Sequence, residues 1–267
     1  MIQTLEPTIV KPLTLAPNEV RFYKHEGYLY LPGLLDGPTA AAMRQEVIDI
    51  MQATGMSLEQ LRRAATTADK LRQSGQYLRD SVIDQVVNSP ALCQIAGQLM
   101  EGPSSLYMPF TAVKSGGGGG RFHFHQDNQY TRFDGPGINL WIALDAMTPE
   151  NGCLQVVPRS HLRGTLESDA SGDGDTHRKT RLEPENFLPV RMSPGDCIAF
   201  SRLTVHGSGP NTTDQPRVAY AAQFHRDDVK AVWDQQPPRL LKGASRWPTG
   251  PIDRLTPPSQ PRSQDGH

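Results

Sequence analysis

Between Arg121 and Asp127 the chain reads R-F-H-F-H-Q-D, and this alternation of rings with polar groups is where chemistry first becomes possible. A strand sends successive side chains to opposite faces, so Phe122 and Phe124 are expected on one face and His123, His125 and Asp127 on the other. His125-x-Asp127 then offers an imidazole and a carboxylate from one side of one strand. Two adjacent positions of a metal's coordination sphere are filled without bending the backbone. His123 shares that face, but the H-x-D spacing selects His125. A third ligand must come from elsewhere, and the best candidate is His206, in R-L-T-V-H-G-S-G-P-N, followed eleven residues later by Arg217.

Two histidines and one carboxylate occupy one triangular face of an octahedron and leave three positions open, the arrangement used by many non-haem iron(II) oxygenases. The H-x-D dipeptide spacing recurs by chance in many proteins. Its company is more specific. F-Y-K-H-E-G-Y-L-Y-L-P-G-L-L (Phe22 to Leu35) precedes H-Q-D at 125–127, and N-G-C-L-Q-V-V-P-R-S-H (Asn151 to His161) and P-G-D-C-I-A-F (Pro194 to Phe200) then lead into His206 and Arg217. In these four places, and in this order, the chain resembles the phytanoyl-CoA dioxygenase family of iron and 2-oxoglutarate dependent oxygenases, over roughly residues 18–226.

The resemblance implies Fe(II) held by His125, Asp127 and His206, with 2-oxoglutarate as cosubstrate and O2 as oxidant. It implies that Arg217 holds the far carboxylate of 2-oxoglutarate, helped by the hydroxyl of Ser208, and that Trp141 lines the cosubstrate pocket. Charge supports the arginine. Fe(II) with one aspartate and a dianionic cosubstrate leaves a net negative charge that a buried site must offset, and a guanidinium pairs with a carboxylate through two hydrogen bonds. Alternation over 217–226 puts Arg217, Ala219 and Ala221 on one face, with room for a ligand, and Val218, Tyr220, Ala222 and Phe224 on the other. Trp141 and Asn139 share a face opposite Ile138, Leu140, Ile142 and Leu144; Trp141 reads equally as a core residue. Lys114 is a weaker cosubstrate candidate, or a solvated strand end. His161 matches a family signature expected to hold a turn, and Arg159 stands where the family commonly has glycine.

The reaction implied is hydroxylation of an unactivated C–H of a small molecule with release of succinate and CO2. The alternative is a jelly-roll protein that binds a metal and a ligand without turnover; a zinc hydrolase on the same ligands is a third reading, with no use for Arg217. Related halogenases lack the carboxylate that Asp127 supplies. Nucleic-acid demethylases of the oxygenase class carry a second arginine six residues after the first, where this chain has Gln223.

Composition agrees with a small-molecule partner. Lys and Arg number 27 against 28 Asp and Glu, a net charge of −1, so no positive field attracts nucleic acid or an anionic membrane. Cys93, Cys153 and Cys197 are widely spaced and odd in number, which suits reduced thiols in a cytoplasmic protein. No stretch approaches the ~20 apolar residues of a membrane span.

The expected architecture is mainly β with helical decoration: one domain over 1–267, built on a double-stranded β-helix, or cupin-like jelly roll, with N-terminal helices on its outside. A helix opens at Pro17 and stops at Gly27, with a short strand at 28–31. A second starts at Pro38, and residues 58–101 continue helical, so that 17–101 forms the helical part. Strands are expected at 106–114, 121–125, 138–145, 153–157, 187–192, 196–200 and 217–226, within a core at 104–226. The S-G-G-G-G-G run (115–120) lacks the Lys-Ser/Thr and following helix of a phosphate loop and reads as a turn. Residues 167–185, rich in Asp, Gly and Ser, form a long insert that suits a mobile lid or a disordered linker. The proline-rich stretch 227–267 is expected to be irregular.

Overall fold

Helix α1 (Pro17–Glu26) begins where proline's fixed φ suits the first helical position, and the Glu19 carboxylate accepts the free Ala16 N–H at 2.7 Å. Gly27 ends it in the left-handed region at φ +85°, turning the chain into strand β1 (Tyr28–Leu31). In the computed structural model, which describes residues 9–63, 73–172, 177–238 and 249–255, the chain continues through α2 (Gly37–Ala53), α3 (Leu58–Arg62), β2 (Gly75–Leu78), α4 (Val82–Val87) and α5 (Pro90–Met100). The sheets follow: β3 (Ser104–Lys114), β4 (Phe122–His125), β5 (Gly137–Ala143), β6 (Leu154–Val156), β7 (Ser168–Ala170), β8 (Arg178–Thr180), β9 (Leu188–Pro189), β10 (Cys197–Ser201), β11 (His206–Ser208), β12 (Arg217–Arg226) and β13 (Thr249–Ile252).

A five-stranded sheet in the order β1-β10-β5-β12-β3 faces a four-stranded sheet in the order β4-β11-β6-β9, the two layers of a jelly roll. Every ladder within these two sheets is antiparallel. The large sheet is buried on both faces. Its outer face carries Val218, Tyr220, Ala222, Ile138, Leu140 and Ile142, packed with Met43, Val47 and Met51 of α2 and Leu92, Ile95 and Leu99 of α5. The inner face carries Ala219, Ala221, Trp141, Ala143, Ile198 and Phe200, packed with Leu154 and Val156 of the smaller sheet. The helices therefore lie outside the roll, and the period-2 pattern assigns both faces correctly.

Four expectations are corrected. Residues 58–101 are not continuously helical, because Gly75–Leu78 pairs in parallel with Thr249–Ile252. That partner comes from the stretch after 227, which contributes a strand instead of remaining irregular; its residues 239–248 and 256–267 lie outside the described residues. His206 stands on a strand that local pattern does not announce, three residues long and held by β4 and β6. The insert at 167–185 is not structureless where it is described. β7 and β8 form a hairpin, with Arg178 donating to Ser168 Oγ and O and Arg181 paired with Glu167 and Asp169; residues 173–176 lie outside the described residues. Among the described residues no helix is long and apolar enough to cross a membrane.

Two of the sequence signatures are structural joints. Asp196 of P-G-D accepts from Tyr30 Oη (2.5 Å), the Gly33 N–H (2.8 Å) and the Ser193 N–H (2.6 Å), tying β10 to the turn after β1. At the other joint His161 Nε2 reaches Lys24 O at 3.0 Å, the Arg159 N–H donates to Glu26 O, and Thr204 Oγ1 donates to Gly27 O at 2.7 Å. His161 thus holds a turn, as its signature suggests. A Cβ on Gly27 would sit 2.3 Å from His161 Nδ1 and 2.8 Å from Thr204 Oγ1. Gly27→Ala adds that overlap to the cost of a left-handed alanine and is expected to destabilise the fold by about 2–4 kcal/mol, read as a lower urea midpoint at unchanged slope.

Candidate active site

The register of β4 and β11 sets the geometry. His206 stands opposite His125, but the next pair is Ser208 opposite Phe122, so β4 advances three residues while β11 advances two. This bulge turns Phe122 to the face of His125, where it lines the central cavity and meets the His177 ring edge-on at 4.6 Å. Phe124 instead packs on Phe187 at 5.3 Å. The expectation that both rings share one face fails at the bulge. The strand also ends at His125: Gln126 is still extended, and Asp127 opens a single 3-10 turn (Asp127–Gln129). Gln126 is fully buried, donating to Gly164 O and Leu203 O and accepting from the Leu166 N–H, which anchors the residue between the two acting groups.

His125, Asp127 and His206 are all buried, and one ligand atom from each lies within 4.8 Å of the others. The imidazole rings of His125 and His206 are 4.3 Å apart, and His206 Nε2 is 3.8 Å from Asp127 Oδ1. His125 Nδ1 lies 2.7 Å from His123 O, and His206 Nδ1 lies 3.0 Å from Thr204 O. A carbonyl only accepts, so each Nδ1 carries the proton and each Nε2 presents a lone pair to the centre. Asp127 Oδ2 accepts from Asn139 Nδ2 at 3.2 Å, which leaves Oδ1 facing the histidines. Ser160 Oγ accepts the Val205 N–H at 2.8 Å and so fixes the backbone just before His206. The donor set of two neutral imidazoles and one carboxylate fits a divalent iron with open positions.

The three groups open on a cavity of about 320 Å³. Arg217, Ser208 and Trp141 also line it. The Arg217 guanidinium lies over the Trp141 ring at 5.3 Å, and its buried Nε has no hydrogen-bond partner among the described residues. Burial pulls its pKa down to about 10, which leaves it charged at neutral pH. An unpaired buried cation beside a metal-sized cluster is the complement of a carboxylate. Lys114, opposite Arg217 in register, is neither a solvated end nor part of the cavity wall. It is fully buried, its Nζ donating to Gly120 O at 2.6 Å and to Gly209 O, so that it pins the glycine turn to the segment after β11.

Arg202 escaped the sequence reading, and Gln223 entered it only as the residue standing in place of a second arginine. Arg202 is buried, its Nη2 donating to Asp127 O and Thr131 O at 3.0 Å and its Nη1 to Gln223 Oε1, with the Phe133 ring 4.2 Å from the guanidinium. It braces the turn that carries Asp127 against β12. The only local signal was an arginine at the end of an apolar strand, which alone does not tell a brace from a solvated end.

A jelly roll with a buried cluster of two histidines and a carboxylate, opening on a cavity with an unpaired arginine, defines the class of non-haem iron oxygenases. The chain matches the Phytanoyl-CoA dioxygenase (PhyH) family over residues 23–219 and belongs to it. It is a 2-oxoglutarate dependent oxygenase that uses Fe(II). It is 33% identical over 207 residues to the methylphosphonate hydroxylase of Gimesia maris, covering 76% of this chain and 78% of that one. It is 29% identical over 260 residues to the L-proline trans-4-hydroxylase of Streptomyces griseoviridis, covering 86% of this chain and 94% of that one. EvdO2 from Micromonospora carbonacea var. aurantiaca, solved with 2-oxoglutarate, shares the fold at a TM-score of 0.62 and 22% identity, over 86% of this chain and 98% of that one.

Burial, with the nearby His206 adding to it, depresses the pKa of His125 from 6.5 to about 3. A histidine kept neutral in the fold but protonated in the unfolded chain lowers stability as pH falls below 6.5, until about 3 is passed. Metal-free protein is therefore expected to lose stability on acidification across that window. His125→Gln should flatten the dependence in denaturant melts taken at a series of pH values.

Proposed function

We propose that the protein hydroxylates an unactivated C–H bond of a small molecule, with His125, Asp127 and His206 holding Fe(II) and Arg217 holding the far carboxylate of 2-oxoglutarate. The observation that carries this reading is the buried Arg217, its Nε unpartnered among the described residues, in the same cavity as the three ligand atoms. A non-catalytic metal binder does not require a buried cation for a diacid. When bound, the iron and its cosubstrate supply the activation of O2, with 2-oxoglutarate consumed to succinate and CO2. The chain's own residues bind, orient and exclude water. Protonated Nδ1 atoms keep both imidazoles in one tautomer, Asn139 holds the aspartate, and Arg217 with Ser208 sets the direction of the cosubstrate. Trp141 walls that end of the cavity with a flat ring.

Substrate size follows from volume. A cavity of about 320 Å³ lies at the low end of the ~300–1,000 Å³ usual for ligand sites and is shared with the cosubstrate. This favours a small metabolite over an acyl-CoA. The relatives named for methylphosphonate and L-proline hydroxylation agree with that scale.

Anaerobic protein given Fe(II) and 2-oxoglutarate is expected to develop the weak visible band of a bidentate chelate; bound iron without the band refutes the cosubstrate assignment. Asp127→Ala should abolish hydroxylation. Truncating one partner of a buried charge pair costs ~2–5 kcal/mol, so Arg217→Ala should raise the 2-oxoglutarate constant roughly 30- to several-thousand-fold while iron affinity hardly moves. Arg217→Lys should fall between, because it restores charge without the fork. An unchanged constant in Arg217→Ala refutes the placement.

A further inference from the structure

The cavity wall holds a second cation that the chemistry at iron does not use. Arg202 is buried and lines the cavity, and its three hydrogen bonds go to Asp127 O, Thr131 O and Gln223 Oε1, all neutral groups. Among the charged residues of the wall, Asp127 balances one of the two arginines. Iron's two positive charges cancel the two negative charges of 2-oxoglutarate. One positive charge is then left over in a closed space, where an uncompensated ion is costly.

Gln223 shows where a counter-charge would sit. Arginine has donors only, so the carboxamide must turn its oxygen to Arg202 and its NH2 the other way. Gln223 is 2% exposed and lines the cavity, and its Nε2 has no hydrogen-bond partner among the described residues. It stands opposite Asn139 in the β12–β5 register, and Asn139 donates to Asp127. The free NH2 is thus two side chains from the metal ligands. Asn139 Oδ1 is also unpaired but closed off from the cavity, so the accessible group is a donor. Tyr107, Met108 and Phe110 supply an apolar wall on the same side.

We infer that Gln223, backed by Arg202, forms the substrate subsite for a carboxylate-type anion, and that the substrate is a small molecule with an apolar body bearing such a group. This rests on the oxygenase reading above. The donor fixes the group's position at the Gln223 NH2, and the arginine behind it supplies the charge. The substrate carbon is thereby held toward the face where Asp127 and the two histidines converge.

The test uses full-length protein loaded anaerobically with Fe(II) and 2-oxoglutarate, and a panel of small carboxylic acids, each paired with its primary amide. Binding is read by calorimetry and by perturbation of the visible band. Carboxylates are expected to bind, and their amides to bind roughly ten- to hundredfold more weakly, as befits the loss of one charged hydrogen bond. Gln223→Glu keeps an acceptor for Arg202 but replaces the free donor with a carboxylate; it should reverse the preference toward amides. Gln223→Leu should weaken carboxylates by the same ten- to hundredfold. Equal binding of acids and amides, no binding of any acid, or an unaltered preference in Gln223→Glu overturns the subsite. Absence of the band before any panel member is added identifies failure of the oxygenase reading instead, and the subsite falls with it.

Discussion

Everything at this site depends on one pairing, His206 of β11 against His125 of β4. Opposed residues in an antiparallel ladder have Cβ atoms about 5 Å apart, close enough for two imidazoles to share one ion. The ladder alone would not point both Nε2 atoms at the same place. Hydrogen bonds from each Nδ1 to the carbonyl two residues earlier, His123 O and Thr204 O, give that orientation. The carboxylate comes from outside the ladder, on a turn that Arg202 clamps from below.

A site of this kind concentrates buried polar groups that would each be costly alone. The structure answers in two ways. Groups that must stay still are satisfied: Gln126 makes three hydrogen bonds to backbone atoms, and Lys114 donates to two carbonyls. Others are left open among the described residues, as at Arg217 Nε and the Gln223 NH2, the two groups proposed to meet ligands. Lys114 and Arg217 are neighbours in register, yet only Arg217 lines the cavity, which the strand pattern alone does not distinguish.

The sequence signatures divide by what they hold. Gly27, His161 and Thr204 join the end of α1 to the turn before β11, and Asp196 joins β10 to the chain after β1. None of these touches the cavity. They keep β10 and β11 in place, and His206 needs that because its own strand has only three residues. A substitution at such a joint is felt at the metal ligands through backbone displacement, not through chemistry.

Alternation, a local property, was enough for the two faces of β5 and β12, while the jelly roll and the candidates His125, Asp127, His206 and Arg217 were expected through resemblance to a family, and the fold gathers these four at one cavity. Tertiary structure alone decided the rest. The β4 bulge that moves Phe122 into the cavity arises from register with β11, some eighty residues away. The pairing of β2 with β13 joins segments about 170 residues apart, a contact with no local signature. Whether Lys114, Arg202 or Gln223 faces ligand, backbone or solvent depends on which carbonyls the folded chain brings within 3 Å, and a one-dimensional pattern carries no record of those distances.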